Sequence, residues 1–329
     1  MRKLLPQVDD HQARRAAAQA QLDQMFARDY RVPWEPRCVM CDRPRSLHGE
    51  PVDINGEVVT PTCDLLHPGG LMPEGPAPRP GPRPRGQRIA IARSLSRFMA
   101  KTIAGSLGEP SKMPGPSYGL DAWKCSVGNI LADVSGSTCS HCYARLNFYK
   151  FYWPAKIARA RRHAALSHPL WAEAMIAQVM FHMADGGEPF FRWHDSGDLQ
   201  SLDHFENICA VADATPRVSH WLPTREYGIV RQFLVEGGRI PWNLAVRLSS
   251  HWNGEPPQVP PELAHLPTST VHFERGKPVQ VGPRRNSTVE CRAGLRETTD
   301  VQGKNVSSFC GSCRACWTTS VQHVSYPIH

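Results

Sequence analysis

The sequence of 329 residues has no run of 18 or more apolar residues, the length that a membrane-spanning helix needs. Its first residues, MRKLLPQVDDHQARR, also lack the apolar centre of a secretory signal. We therefore expect a soluble cytoplasmic protein. Acidic residues are in the minority, since 38 basic and 30 acidic side chains give a formal charge of +8. This excess favours polyanionic partners, although it equally suits an ordinary solvated surface.

Cysteine, in contrast, is plentiful, and most of the eleven cysteines are grouped. The groups are Cys38, Cys41 and Cys63; then Cys125, Cys139 and Cys142; then Cys291, Cys310, Cys313 and Cys316. Disulfides would be reduced in the cytosol, where close C-x-x-C pairs are typical of metal-thiolate sites. We therefore predict reduced, metal-binding cysteines. Cys209 stands alone on an apolar helix face and is interpreted as a core residue.

Composition divides the chain into three parts. Residues 1–68 contain an Ala-rich helix over 9–28 and a hairpin around Asn55-Gly56. Residues 69–88 are rich in Pro, Gly and Arg, which predicts a semi-extended linker. Residues 89–329 alternate strand-like and helical segments, which predicts an α/β domain with a parallel sheet or barrel.

The predicted elements of the last part can be placed individually. Strands are expected over 188–195, 219–224, 242–250, 269–274 and 277–282. Helices are expected over 202–213 and 226–236, together with two helices within 154–184 that are separated near His168-Pro169. The chain shows no internal repeat at the periods typical of solenoids.

The N-terminal group has the spacing of a zinc site. Cys38-x2-Cys41 is followed by Cys63-x3-His67, and His48 is an alternative to His67. A short segment without its own core would gain stability from such a metal. Next to the Arg-rich linker, this small module could contact nucleic-acid phosphates, act as a docking module or serve as a structural plug.

The C-terminal group, Cys310-x2-Cys313-x2-Cys316 with Cys291 upstream, supplies four thiolates. Four thiolates close either a [4Fe–4S] cluster or a zinc tetrahedron. A closed site is structural or relays electrons, because no metal position remains for a substrate. Trp317 follows the last ligand and is expected to pack over the site.

The central group supplies only three thiolates. Cys139-x2-Cys142 lies in a Gly/Ser-rich loop, and Cys125 precedes it. Three thiolates bind three irons of a [4Fe–4S] cluster and leave the fourth iron open to a ligand such as S-adenosylmethionine. Zinc, a purely structural cluster or reduced core thiols are the alternatives.

Several polar residues follow the predicted strands. His194 and Asp195 could transfer protons as a pair, but adjacent strand residues face opposite sides unless the chain bends. Asp198 follows a glycine and could instead cap a helix that begins near Leu199. Arg247 lies inside an apolar strand, where burial requires an anionic partner such as Asp195 or the carboxylate or phosphate of a ligand.

The segments that carry these residues resemble a known family. They are GEPSKMPGPSYGLDAWKC, CSHCYAR, FRWHDSGDLQS, WLPTRE and CGSCRACW. From about Arg93 to Trp317 the sequence resembles the phage "gene product 88" family. More distantly it is similar to radical-SAM enzymes, which are partial (β/α) barrels with a Cys-x3-Cys-x2-Cys loop after the first strand. The resemblance implies an α/β fold of this partial-barrel type beside the small N-terminal zinc module, in the host cytoplasm.

The resemblance also implies ligand roles. Cys139 and Cys142 would be the second and third cluster ligands, and His141 would lie beside the adenine. Ser135 occupies the usual place of the first ligand, so either Cys125 would take that role through an enlarged loop or the cluster is not of the usual kind. Ser196, Gly197 and Asp198 would receive the methionyl amine. The remaining implied ligand residues lie at strand ends that face ligand in such barrels; they are Thr224, Arg225, Arg247 and Ser249.

The sequence thus predicts a radical-SAM-like enzyme that uses a 5′-deoxyadenosyl radical, with a nucleic-acid base as the suggested substrate. Its cofactors would be one or two [4Fe–4S] clusters, S-adenosylmethionine and zinc, and its electron donor a protein such as a flavodoxin or ferredoxin. The alternative is a non-catalytic, multi-zinc, nucleic-acid-binding phage protein. A third possibility is a metal-dependent hydrolase that uses His194, Asp195 and Asp198.

Overall fold

The structure is a computed structural model that describes residues 7–31, 52–54, 57–59, 82–146, 151–274, 276–281, 288–291, 293, 297–299, 305–307 and 310–328. The chain forms two compact units. The first combines Met1–Tyr30 with Pro84–His329, and the second is Arg31–Arg83. In the second unit, β1 (Val52–Ile54) pairs antiparallel with β2 (Glu57–Val59), which confirms the hairpin predicted at Asn55-Gly56.

The first unit is built on a seven-stranded sheet in which every strand pair is parallel. The strand order is β3-β4-β5-β6-β7-β11-β8. These strands are β3 (Ser117–Tyr118), β4 (Phe190–Trp193), β5 (Ser219–Thr224), β6 (Leu244–Ser249), β7 (Thr268–His272), β8 (Thr288–Glu290) and β11 (His323–Pro327). A separate antiparallel pair joins β9 (Glu297–Thr299) and β10 (Asn305–Ser307). The sheet confirms the predicted α/β class.

Eight helices lie in the described part of this unit. They are α1 (Gln7–Ala27), α2 (Arg85–Ser94), α3 (Arg97–Ala104), α4 (Ser126–Leu131), α5 (Trp153–Ala165), α6 (Trp171–Ala184), α7 (Leu202–Ala214) and α8 (Tyr227–Val235). Within the described parts of the chain, no helix is both long enough and apolar enough to cross a membrane.

The two faces of the sheet are covered by different material. On one face, Phe191 and Trp193 of β4 join the main hydrophobic core with the helices, and Trp193 lies 6.0 Å from Trp171 of α6 between ring centroids. On the other face, Trp221 of β5 packs against Trp317 of the C-terminal segment, with ring centroids 5.2 Å apart. All side chains of β6 are buried, as expected for a parallel strand covered on both sides.

Most predicted elements of this unit are confirmed. The two helices expected within 154–184 are α5 and α6, and the strand expected over 219–224 is β5 at the same bounds. The strand expected over 277–282 is wrong for its described part, 277–281, which has no strand. There the Val279 amide donates to the Ser325 hydroxyl at 3.1 Å, a side-chain contact with β11 rather than a backbone ladder. Helix α2 begins at Arg85, inside the segment expected to be linker.

Candidate metal sites at the edge and on the face of the sheet

The first candidate site lies where β3, β4, β5 and β6 end, and we call it the edge site. It consists of Cys125, Cys139, Cys142, Asp198, Arg225 and Glu226. Cys125 ends a short turn after β3 and directly precedes α4. Cys139 begins a second short turn, and the amide of Cys142 donates to its carbonyl at 3.2 Å. Carboxyl ends of parallel strands are where α/β proteins bind ligands.

The sulfur atoms of Cys125 and Cys139 lie close together despite their separation in the sequence. A Cβ atom added to Gly128 would be 3.6 Å from Sγ of Cys125 and 3.9 Å from Sγ of Cys139. Burial raises the pKa of the Cys125 thiol well above its ordinary value, and the charges of Asp198, Cys139 and Cys142 add to this rise. The structure therefore brings the two distant parts of the predicted three-cysteine group together.

The loop that carries Cys139 is fixed to the segment after β6. The Thr138 amide donates to the His251 carbonyl at 2.9 Å, and its hydroxyl donates to the Ser250 carbonyl at 3.0 Å. The side-chain amide of Asn253 donates to the Ser137 carbonyl at 2.9 Å. The position of the Cys139 thiol is thus determined by the strand order of the sheet.

Asp198 joins the ends of β4 and β5. Its buried carboxylate accepts from the Thr224 hydroxyl at 2.6 Å, the Arg225 amide at 2.9 Å and the Leu199 amide at 2.8 Å. Burial raises the pKa of Asp198, and these hydrogen bonds oppose the rise. Helix α7 begins later, at Leu202, where Ser201 is the cap. Asp198 therefore organises the sheet edge rather than capping that helix.

Glu226 and Arg225 place an acidic and a basic side chain beside the thiols. One carboxylate oxygen of Glu226 accepts from the Val127 amide at the start of α4, at 2.9 Å, while the other is buried without a hydrogen-bond partner among the described residues. Burial and the charge of Asp198 raise the pKa of Glu226 to about 8. Burial also raises the pKa of Cys139, while the positive charge of Arg225 lowers it.

Ser196 and Gly197 connect β4 to the end of β3. The Ser196 hydroxyl donates to the Leu120 carbonyl at 2.7 Å, and the Leu120 amide donates back to the Ser196 carbonyl at 2.7 Å. Gly197 has a φ of 80°, and a Cβ there would lie 2.6 Å from Cβ of Leu120. Only glycine fits this close approach. The Ser196 hydroxyl is thus engaged in a hydrogen bond that holds β4 to the end of β3.

His194 and Asp195 occupy different surroundings, although the chain bends directly after β4. His194 has a φ of 57°, and its buried ring lies 5.3 Å from that of His204 on α7. Burial and the charge of Arg192 lower the pKa of His194 to about 3, so its imidazole is neutral. Asp195 is half-buried, and its backbone carbonyl accepts from the Tyr143 hydroxyl. His141, in contrast, is exposed, with its ring edge-on to Phe273 at 6.1 Å.

The second candidate site lies on the sheet face that the C-terminal segment covers, and we call it the face site. Its cysteines line one cavity of about 420 Å³ with Trp317 and Val324. They are Cys291, Cys310, Cys313 and Cys316. The sequence predicted this grouping, and Trp317 packs beside it as expected. Within the described parts of the chain, no three His, Cys, Asp or Glu side chains are arranged to hold a single metal ion.

Aromatic side chains surround the face site. The Sγ atom of Cys316 lies 3.2 Å from the Tyr326 hydroxyl, and the Tyr326 ring stacks on that of Trp221 at 6.3 Å. Burial raises the pKa of Cys316 to about 12, although the Tyr326 hydrogen bond opposes this rise. The guanidinium of Arg192 lies 4.5 Å from the ring centroid of Trp221.

Arg247 departs from the expectation that it needs an anionic partner. Its fully buried guanidinium donates to four backbone carbonyls at 3.0 to 3.2 Å. These belong to Thr268, Ala315, Thr318 and Val321. Carbonyl dipoles satisfy the two terminal nitrogens of the guanidinium, whereas Nε has no hydrogen-bond partner among the described residues. Arg247 thereby fastens the segment around Cys316 to the sheet. Ser249 is also internal, with its hydroxyl 3.0 Å from that of Ser269.

Some candidate residues were missed and others cannot be placed. Glu226 directly follows Arg225, but the sequence does not show that its carboxylate points at α4. Gly128 carries no motif, and its importance comes only from the two sulfur atoms beside it. The N-terminal candidates lie outside the described residues; they are Cys38, Cys41, Cys63 and His67.

Comparison with protein families confirms the resemblance found in the motifs. The family model described as gene product 88 matches residues 97–319, which is more than half of the chain. The chain therefore belongs to this family. Searches of curated proteins and of solved structures gave no match.

Proposed function

We propose that this member of the gene product 88 family is an iron–sulfur enzyme of the radical-SAM type. The edge site would hold the catalytic [4Fe–4S] cluster, bound by Cys125, Cys139 and Cys142. The observation that carries the proposal is the approach of Cys125 to Cys139 at the carboxyl edge of a parallel sheet. A three-cysteine loop after the first strand of such a sheet is also what the radical-SAM resemblance implies.

The residues present fit a cationic cluster. Burial raises the pKa values of Cys125, Cys139, Asp198 and Glu226, so these acidic groups favour their neutral forms unless a cation is bound. A metal centre would supply that cation and lower the pKa of its thiol ligands. A side chain at position 128 would enter the space beside the sulfur atoms of Cys125 and Cys139, and Gly128 leaves that space open. When bound, such a cluster with S-adenosylmethionine supplies carbon-radical chemistry.

The surrounding residues then have separate roles. Arg225 offers a cation for a ligand carboxylate, and its Nε is held in place by the Ser250 carbonyl at 3.2 Å. Thr224 is a positioning residue, because its hydroxyl is used by Asp198. We propose that Ser196, Gly197 and Asp198 shape the site through the strand ends they connect. His141, exposed beside Cys142, remains the residue proposed to lie beside the adenine.

The face site would hold a second metal centre that does not touch substrate. Four cysteines around one cavity would supply a closed set of ligands to a [4Fe–4S] cluster, in which each thiolate binds a different iron, or to zinc if the thiols moved closer together. A cavity of about 420 Å³ has room for a polynuclear cluster. A flavodoxin or ferredoxin would supply electrons, and the N-terminal cysteines would bind zinc.

The test is anaerobic purification followed by iron and sulfide quantification. The wild type should be brown and should contain both elements. The double variant Cys139→Ala/Cys142→Ala should lose about four irons per chain, the content of one [4Fe–4S] cluster. Cys209→Ala is the matched control, because Cys209 is buried in α7 away from both sites and should leave iron unchanged.

Dithionite-reduced wild type should then cleave S-adenosylmethionine, and the double variant should not. A colourless protein that carries only zinc would contradict the proposal. That result would favour the non-catalytic, zinc-containing, nucleic-acid-binding protein instead.

A further inference from the structure

An exposed aromatic and basic surface borders the edge site, and the metal proposal does not use it. We define this aromatic surface as Trp123, Tyr143, Arg145, Trp153, Lys156 and Arg161. Trp123 and Trp153 are 53% and 65% exposed, and Tyr143 is 51% exposed. Large aromatic side chains are normally buried, so several exposed ones in one region indicate a binding surface.

Three members of this surface lie beside the cysteines along the chain, and helix α5 carries the other three. Trp123 precedes Cys125 by two residues, and Tyr143 directly follows Cys142. The guanidinium of Arg145 lies 4.6 Å from the ring centroid of Trp123. The C-terminal end of helix α5 packs against the segment between β3 and the turn that ends at Cys125, because Arg162 donates to the Gly119 carbonyl at 3.3 Å.

Charge distinguishes this surface from an ordinary apolar patch. From Val134 to Ala172 the sequence contains no Asp or Glu, and the Asp121 carboxylate beside Trp123 is occupied as a cap that accepts from the Trp123 amide at 3.0 Å. Lys156 and Arg161 are exposed on α5, and the ammonium of Lys156 lies 5.4 Å from the ring centroid of Trp153. Cations interleaved with exposed aromatic rings are the combination that binds single-stranded nucleic acid, because bases stack on the rings while the cations neutralise phosphates.

We propose that the aromatic surface binds single-stranded nucleic acid and presents it to the edge site. Presentation to the edge site rests on the proposed function, whereas binding of the strand requires only these side chains. Trp153 and Arg161 are separated by eight residues of α5, or about 12 Å along the helix axis. That length suits a few nucleotides in an extended strand.

The test is fluorescence anisotropy with a labelled oligothymidine of about 12 nucleotides, a length within the usual range of such sites. An oligouridine of equal length and a DNA duplex form the other arms, so that DNA, RNA and double-stranded forms are distinguished. Tighter binding of a single strand than of the duplex is expected. Equal binding of the duplex would contradict a stacking surface.

Substitutions make the test specific. Trp123→Ala and Trp153→Ala should each weaken binding at least about fivefold, the lower limit for the loss of one stacked base. Trp242→Ala is the matched control. Trp242 is 76% exposed, but it precedes β6 and so lies at the amino ends of the strands, whereas the edge site lies at their carboxyl ends. Unchanged binding in both test variants, or an equal loss in the control, would overturn the inference.

The cationic contribution has its own readout. Lys156→Gln/Arg161→Gln should reduce the slope of log K against log salt concentration by about 1.4, as expected for two phosphate contacts on a single strand. Arg239→Gln, exposed near Trp242, should leave that slope unchanged. An unaltered slope in the double variant would contradict phosphate contact at these residues.

Two further measurements separate the possible failures. Phosphatidylglycerol vesicles test an anionic membrane as the ligand, and preferential binding to them would overturn the inference. Iron content is measured on the same preparations. Iron without oligonucleotide binding would refute this inference alone, whereas oligonucleotide binding without iron would refute only the proposed enzyme.

Discussion

The edge site and the face site both offer cysteine sulfur to a metal, but the two sets of cysteines lie in contrasting surroundings. At the edge site, the cysteines lie among Asp198, Arg225 and Glu226, at the ends of parallel strands. At the face site, four cysteines lie among aromatic rings, including Trp317, on the broad side of the sheet. Three ligands among charged groups suit a centre that exchanges ligands. Four ligands in an aromatic environment suit a centre that is closed.

Arg247 and Arg225 show the same contrast. Arg247, beside the face site, donates to four backbone carbonyls and thereby fixes the C-terminal segment. Arg225, at the edge site, places its positive charge near Cys139, Cys142 and Asp198. Arg247 therefore has a structural role, whereas Arg225 contributes positive charge to the edge site. We expect substitutions on the face to affect mainly stability and those at the edge to affect mainly metal content.

The largest effect on stability is expected for Arg247→Met. The substitution leaves four buried carbonyls without their donor, and we expect a loss of about 3–5 kcal/mol in the free energy of unfolding. Chemical denaturation measures it. Arg231→Met is the control, because Arg231 forms a half-exposed ion pair with Glu262 at 2.8 Å and should cost less than about 1 kcal/mol. Similar losses of unfolding free energy in both variants would contradict a structural role for Arg247.

A smaller loss is expected for Asp198→Asn at the edge site. An amide nitrogen would replace one acceptor oxygen and oppose a hydrogen-bond donor, which should cost about 1–3 kcal/mol in the free energy of unfolding. Iron associated with the edge site should also decrease, while iron at the face site should not. Asp213→Asn, an exposed partner of Arg85 at 3.6 Å, is the control. Full iron content and stability in Asp198→Asn would show that the edge tolerates the change.

Acid should affect both regions alike. Burial, as the main cause, lowers the pKa of His251 near the edge site and of His323 near the face site from 6.5 to about 4. Between these values the unfolded chain takes up protons that the folded protein does not. The stabilising contribution is therefore present above pH 6.5 and is lost as the pH falls toward about 4.

Two variants test this pH dependence. His251→Asn and His323→Asn should each flatten the decline of the free energy of unfolding between pH 6.5 and about 4. His265→Asn, at an exposed position, should leave the decline as it is in the wild type. A flattened profile for only one of the two buried histidines would show that the regions respond differently to acid.

The smallest effect on stability is expected for Gly128→Ala. A Cβ there would lie 2.7 Å from Cβ of Cys125, so the Cys125 thiol must shift, while alanine favours the helix that contains it. We expect a stability change below about 1 kcal/mol but a loss of edge-site iron. Gly86→Ala in α2, where no atom lies within 4 Å of the added Cβ, is the control. Unchanged iron in Gly128→Ala would contradict the proximity of the two thiols to one bound group.

Local patterns allowed much of the fold to be predicted. The helices α5 and α6 were separated correctly at His168-Pro169, and β5 was located at its observed bounds, because apolar runs and breaking residues are local signals. The strand expected over 277–282 failed in its described part because a short apolar run does not specify a pairing partner. The strand order β6-β7-β11-β8 could not be read from such signals either.

The sequence by itself determined the family, the α/β class and the cysteine groups that are close along the chain. C-x-x-C spacing brings two thiols together in almost any local conformation. Only the tertiary structure decided that Cys125 meets Cys139, that Asp198 joins Thr224 to Arg225, and that Arg247 binds carbonyls rather than an anion. These contacts depend on which parallel strands are neighbours and where they end. Strand order and register arise from the packing of the whole core, which no local pattern contains.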